Sequence, residues 1–138
     1  MDELQLKLCD IQGRLFELSG TQEIPSEAFI KAFMTSETAK ALDSTYNRMQ
    51  WMGEKYLLEE VKDAAGDILS ASGEIFQADV LYWIGYLYRY WHYYTGESSA
   101  KILRQASAAT MKRNYLMLHT MDPVVAIENL KEIHTQKK

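Results

Sequence analysis

The sequence is poor in the residues and patterns that mark several large classes of protein. Its 138 residues hold one cysteine, Cys9, so an intramolecular disulfide and a cysteine zinc cluster are excluded and a reducing compartment is expected. No apolar run reaches the ~20 residues that span a bilayer. The most apolar stretch, Val80 to Tyr94, is shorter and carries Arg89 and His92. The amino terminus, MDELQLKLCD, opens on acids without a basic flank, so no secretory signal is expected and a cytoplasmic location follows. No segment alternates apolar and polar residues strictly by two, and no internal repeat is visible. The phosphate-binding loop, the dinucleotide fingerprint and the Gly-x-Ser-x-Gly nucleophile turn are all missing. His92, His119 and His134 show no ligand spacing, so neither a metal nor a standard cofactor is expected.

What remains is an apolar, helix-patterned chain. Hydrophobic residues make up 47% and charged residues 25%, enough to build a core and too apolar for disorder. The length suits one domain spanning residues 1–138. The net charge of −4 argues against nonspecific nucleic-acid binding, but it is unevenly placed. From Ser98 to Lys138 seven basic residues face three acidic ones, which leaves about +4 there and about −8 before it. That asymmetry suits a C-terminal face meeting an acidic partner or a phosphate backbone, and equally an ordinary solvated surface.

Leu4, Leu8, Ile11, Leu15 and Leu18 recur at helical spacing, weakened by Gly13 and closed by Ser19 and Gly20. Ser26 is the expected N-cap of a short helix that buries Phe29, Ile30, Phe33 and Met34. Ser36 caps another from Glu37 to Leu42, the two being separate helices or one kinked helix. A longer helix is predicted from Tyr46 to Ala65 with Met49, Met52, Tyr56, Leu57, Val61 and Ala64 inward, ending at Gly66. Ser70 to Gly73 reads as a loop. Towards the C-terminus, Ser98 or Ser99 caps a helix through Ala106, and Ser107 caps one from Ala108 to His119. Asp122 and Pro123 open the last, with Val124, Ile127, Leu130 and Ile133 inward. The predicted class is all-α, a single-domain bundle of six to eight helices.

Its centre is the segment from Glu74 to Tyr94, where eight of the thirteen residues from Tyr82 to Tyr94 are aromatic. β-propensity alone would allow a strand. The run is too long for most strands, lacks turn signals and ends at Thr95-Gly96, so it reads as a helix that neighbours must wrap. Arg89 and His92 are its only strongly polar side chains, one turn apart. One reading is a polar pocket lined by Tyr82, Tyr86 and Tyr93 that holds an anion or a partner's carboxylate. The other is an internal ion pair with cation–π contacts. Either way a buried guanidinium needs an acid, and Glu54, Glu59 or Glu60 of the preceding long helix are the expected sources.

Arg113 and His119, separated by Asn114-Tyr115-Leu116-Met117-Leu118, resemble the arginine–histidine motif of the HEPN ribonucleases, which are small helical bundles. That resemblance implies His119 as general acid or base and Arg113 as the stabiliser of charge on a scissile phosphate. The match departs where toxins of that family commonly carry tyrosine two residues past the histidine; here Met121 stands there. The bland alternative is Arg113 on a solvated face and His119 closing its helix, where a cation suits the dipole.

Residues 81–133 carry a second resemblance. LYWIGYLYRYWHYY, TGESSAKIL, NYLMLHT and VVAIENLKEI resemble a family of small bacterial proteins encoded beside ADP-ribosyltransferase-like toxins. The shared Tyr-x-x-Leu-His-Thr core falls on Tyr115, Leu118, His119 and Thr120. The resemblance implies an antitoxin-like binding module of a toxin–antitoxin or defence locus, and assigns no catalytic residue. The partner expected is a protein, a toxin or a second copy of the chain. The aromatic excess agrees, because Tyr and Trp are favoured at interfaces. The binding surface expected is the open edge of the aromatic helix, with Tyr82, Tyr86, Arg89, His92 and Tyr93, plus the segment holding Tyr115, His119 and Asp122. The rival expectation is a metal-independent ribonuclease using Arg113 and His119.

Overall fold

A computed structural model describes residues 1–44, 48–70 and 72–137. The fold is all-α. Among the described residues there are eight α-helices and two 3-10 turns and no strand, and no helix is long and apolar enough to cross a membrane. The helices are α1 (Glu3–Thr21), α2 (Ser26–Met34), α3 (Glu37–Asp43), α4 (Glu54–Ala65), α5 (Ala78–Thr95), α6 (Ser99–Gln105), α7 (Ala108–Leu118) and α8 (Pro123–Gln136). One continuous apolar core runs from Leu15 in α1 to Leu130 in α8.

The aromatic segment is helical, and its principal partner is α1. Their axes approach closely because two glycines meet the facing helix. A Cβ on Gly85 would stand 2.5 Å from the carbonyl oxygen of Gln12, and one on Gly13 would stand 2.7 Å from the Tyr82 ring. Gly13 therefore does more than weaken α1: it makes room for α5. Gln12 seals the crossing by donating its amide to the Gly85 carbonyl at 2.9 Å. Beside it Phe16 is fully buried and meets Phe29, Phe33 and Tyr88 edge to face. Full burial of each such ring contributes about 2–3 kcal/mol before ordering entropy is subtracted.

The helix ends follow the local chemistry of the sequence. Asp2 and Gln5 form a reciprocal capping box on α1. The side chains of Ser36, Ser98, Ser107 and Asp122 each accept from a backbone N–H of the first turn that follows. Gly96 closes α5 at φ 78°, in the left-handed region that glycine enters without strain.

Three expectations need correction. Ser26 lies inside α2 rather than capping it, and its hydroxyl accepts the N–H of Phe76, tying α2 to the extended approach to α5. The helix expected from Tyr46 starts later: Tyr46 lies outside the described residues, Arg48–Trp51 form a 3-10 turn, and α4 begins at Glu54. Gly53 stands at the break, and the buried positions of α4 are Leu57, Leu58 and Val61, so Tyr56 and Ala64 face solvent instead. Within the stretch expected to be a loop, Ser70 closes the second 3-10 turn, Gly66–Ser70, and Ala71 lies outside the described residues.

Glu97, just past α5, locks the C-terminal helices onto it. Its carboxylate accepts from Trp91 Nε1 at 2.9 Å, Lys131 Nζ at 2.9 Å and Gln105 Nε2 at 2.9 Å. Burial opposes ionisation, but the bonds from Lys131, Trp91 and Gln105 outweigh it and hold the carboxyl down at about 2. A folded-state value below the ordinary 4.5 stabilises the fold above that pH, and the contribution fades as pH falls from about 4.5 to about 2. Glu97→Gln is expected to lower unfolding free energy by about 1–2 kcal/mol at pH 7. It should also shrink the loss of stability between pH 5 and pH 2, which urea midpoints across that range will read.

Candidate functional site

The sequence candidates on α5 do not share one pocket. Arg89 is 1% exposed and is held from three sides. Its Nη1 donates to Asp43 Oδ1 at 2.6 Å, its Nε to Gln12 Oε1 at 2.7 Å, and its Nη2 to Ser99 Oγ at 3.2 Å. Asp43 also accepts the backbone N–H of Ser99 at 2.9 Å and the Ser99 hydroxyl at 2.7 Å. The guanidinium thus joins α1, α3, α5 and α6 as an internal ion pair. The acid is Asp43 at the end of α3, not Glu54, Glu59 or Glu60. Those three sit on α4, whose inward face is Leu57, Leu58 and Val61.

His92 and Tyr93 lie two to three turns beyond Tyr82 and Tyr86, near the C-terminal end of α5. Together with Asp43, Ser44 and Gln50 they line a cavity of about 300 Å³. His92 Nδ1 donates to the Glu97 carbonyl at 2.7 Å and lies 3.7 Å from Asp43 Oδ1. The Tyr93 hydroxyl is buried without a hydrogen-bond partner, and burial pushes its pKa up to about 12.

Tyr82 and Tyr86 belong to a different feature, an open groove of about 580 Å³ between α5 and the junction of α7 with α8. Asp79, Tyr82, Trp83 and Tyr86 form its α5 wall. Their spacing of three, one and three residues places all four on one helical face. The opposite wall is Tyr115 and His119, one turn apart on α7 and its C-cap, with Met121 and Pro123 beyond. Trp83 and Tyr115 meet edge to face at 5.6 Å, and Tyr115 stacks on His119 at 4.2 Å. His119 Nδ1 donates to the Tyr115 carbonyl at 2.7 Å, which fixes the ring over its neighbour. Tyr82 donates to Asp10 at 2.5 Å; burial and that carboxylate together raise its pKa, so the phenol stays protonated.

Leu116, next to Tyr115 in the chain, is 83% exposed and Met117 53% exposed; Met121, which lines the groove, and Val125 are also open to solvent.

No family model, curated protein or solved structure matches this chain.

The ribonuclease pair is divided by the groove. His119 lines it, whereas Arg113 is exposed on α7 and does not. Asp122 is exposed and accepts the N–H of Val124 as the cap of α8. Among the described residues no group of three or more His, Cys, Asp or Glu side chains is placed to hold a metal ion.

Sequence reasoning missed Asp43, Gln12 and Ser99 around Arg89, and Trp83, Asp79 and Glu17 around the groove. The Arg89 partners lie 10, 46 and 77 residues away, and no local pattern marks them. Trp83 and Asp79 carried a usable signal, the one-face spacing with Tyr82 and Tyr86.

Proposed function

We propose that this chain is a non-enzymatic protein-interaction module, an antitoxin-like component of a bacterial toxin–antitoxin or defence locus, and that its partner docks on the groove between α5 and the α7–α8 junction. The observation that carries the docking surface is the open aromatic face itself. Tyr88 and Trp91 are fully buried, yet Tyr82, Trp83 and Tyr86 line an open groove with Tyr115, and Leu116, the next residue in the chain, stands almost entirely in water. An apolar, aromatic surface of this kind loses free energy in water and recovers it when a partner covers it. Tyr and Trp also lose little rotamer entropy on binding, which makes them strong anchors. The link to a toxin locus comes from the resemblance over residues 81–133.

The ribonuclease reading has less support. Stabilising one scissile phosphate needs the arginine and histidine at a common site, and only His119 is at the groove.

Co-expression with the product of the adjoining gene tests the proposal. The expected result is a stable complex of fixed stoichiometry by light scattering. Leu116→Asp is expected to weaken it about thirtyfold, by placing a charge where the partner covers an apolar surface, with unchanged helicity and thermal unfolding because the side chain is outside the core. In the same preparations, wild type and His119→Ala are expected to leave RNA equally intact. Recovery of a lone monomer contradicts the module; a self-paired chain that breaks with Leu116→Asp gives the face to a second copy instead.

A further inference from the structure

We infer that the groove recognises an arginine side chain of the docking protein. The inference rests on the docking reading above and adds the chemistry of the occupant. The groove is aromatic but not neutral. Glu17 and Asp79 are both in its lining, and no lysine or arginine is. Among the described residues Glu17 has no hydrogen bond or ion pair. Asp79 accepts only neutral donors, the Tyr115 hydroxyl at 3.2 Å and the N–H of Val80 at 2.9 Å. The neighbouring Asp10 is different, since Arg14 neutralises it at 3.0 Å. Two uncompensated carboxylates thus border a surface of Tyr82, Trp83, Tyr86 and Tyr115.

That combination complements a cation with an apolar stem. Ring faces carry negative potential and attract a cation placed over them, most strongly once water is excluded. A carboxylate at the rim then accepts from its N–H groups. Arginine fits better than lysine, because its planar guanidinium stacks on rings, pairs bidentately with a carboxylate and is less costly to dehydrate. Its three methylenes lie along the tyrosine and tryptophan walls while flanking apolar residues of the partner cover Leu116 and Met121.

The probe is an acetylated, amidated peptide Gly-Leu-Arg-Leu-Gly, titrated into the isotope-labelled protein beside a twin with neutral citrulline for arginine. The arginine peptide is expected to move the Trp83 indole N–H and the amides of Asp79, Tyr115 and His119. It should bind about tenfold more tightly than the citrulline twin, as expected for losing a desolvated cation–π contact and a charged pair. The double substitution Glu17→Gln, Asp79→Asn is expected to erase that difference without changing thermal unfolding, since both replacements keep the size of the side chain and an acceptor oxygen for the Val80 N–H and Tyr115 hydroxyl. Equal affinity for the two peptides, an arginine preference that survives the double substitution, or no groove shifts at millimolar arginine peptide each overturns the inference. The co-expressed complex separates this failure from that of the docking reading. A complex that breaks with Leu116→Asp but ignores the double substitution keeps the module and discards the arginine. Absence of any complex discards the module itself.

Discussion

Asp43→Ala is expected to cost about 3–5 kcal/mol of unfolding free energy, the largest loss of any single polar substitution in the chain. Arg89 would remain 1% exposed with its charge unpaired, and the Ser99 N–H would lose its acceptor at the start of α6. The cost comes from leaving a buried cation stranded rather than from the net worth of the pair, because desolvation offsets most of the Coulombic attraction. A second substitution therefore distinguishes the two. Arg89→Met combined with Asp43→Ala is expected to recover much of the loss, giving strongly non-additive urea midpoints. Additive losses would mean that Arg89 and Asp43 act independently.

Gly85→Ala should destabilise the fold by about 2–3 kcal/mol even though alanine is the better helix former by about 1 kcal/mol. The new Cβ would sit 2.5 Å from the Gln12 carbonyl oxygen and 2.9 Å from Phe16, so α1 and α5 must separate. Backbone cannot swing aside as a side chain can. Gly13→Ala is expected to cost less, because its two shortest contacts, at 2.7 Å, are with ring atoms of the half-buried Tyr82, and the backbone oxygen it meets is at 3.0 Å rather than 2.5 Å. Thermal unfolding of the two variants compares them directly. Equal losses would contradict the view that the crossing is set by the Gly85–Gln12 contact.

These two sites show what was legible in the sequence and what was not. The helical class, the aromatic run as helix and most caps followed from local rules: periodicity, a serine or aspartate before an apolar run, and glycine after one. The need for an acid beside Arg89 followed from desolvation alone. Its identity did not, because Asp43 ends a seven-residue helix and meets Arg89 only through tertiary folding. The close crossing was hidden for the same reason: Gly13 read as a local weakness, nothing local marked Gly85, and their roles at the crossing are a property of the packed helices. Tyr82, Tyr86 and Tyr93 are neighbours in sequence but not around one pocket. At 3.6 residues per turn Tyr93 returns to the face of Tyr82 and Tyr86, but it stands two to three turns further along α5, about 10–16 Å away, where α1 begins and a different cavity opens. For the groove the stripe from Asp79 to Tyr86 was visible in advance, but its opposite wall, Tyr115 and His119, was joined to it only by the fold.

The location of docking can be measured by hydroxyl-radical footprinting of side chains, with and without the product of the adjoining gene. Trp83 and Met121 report on the groove, and Trp51, 74% exposed in the first 3-10 turn, serves as an internal control. Docking on the α5–α7 face predicts a severalfold fall in oxidation of Trp83 and Met121 in the complex, with Trp51 unchanged. Protection of Trp51 while Trp83 and Met121 stay as reactive as in the free chain would contradict it.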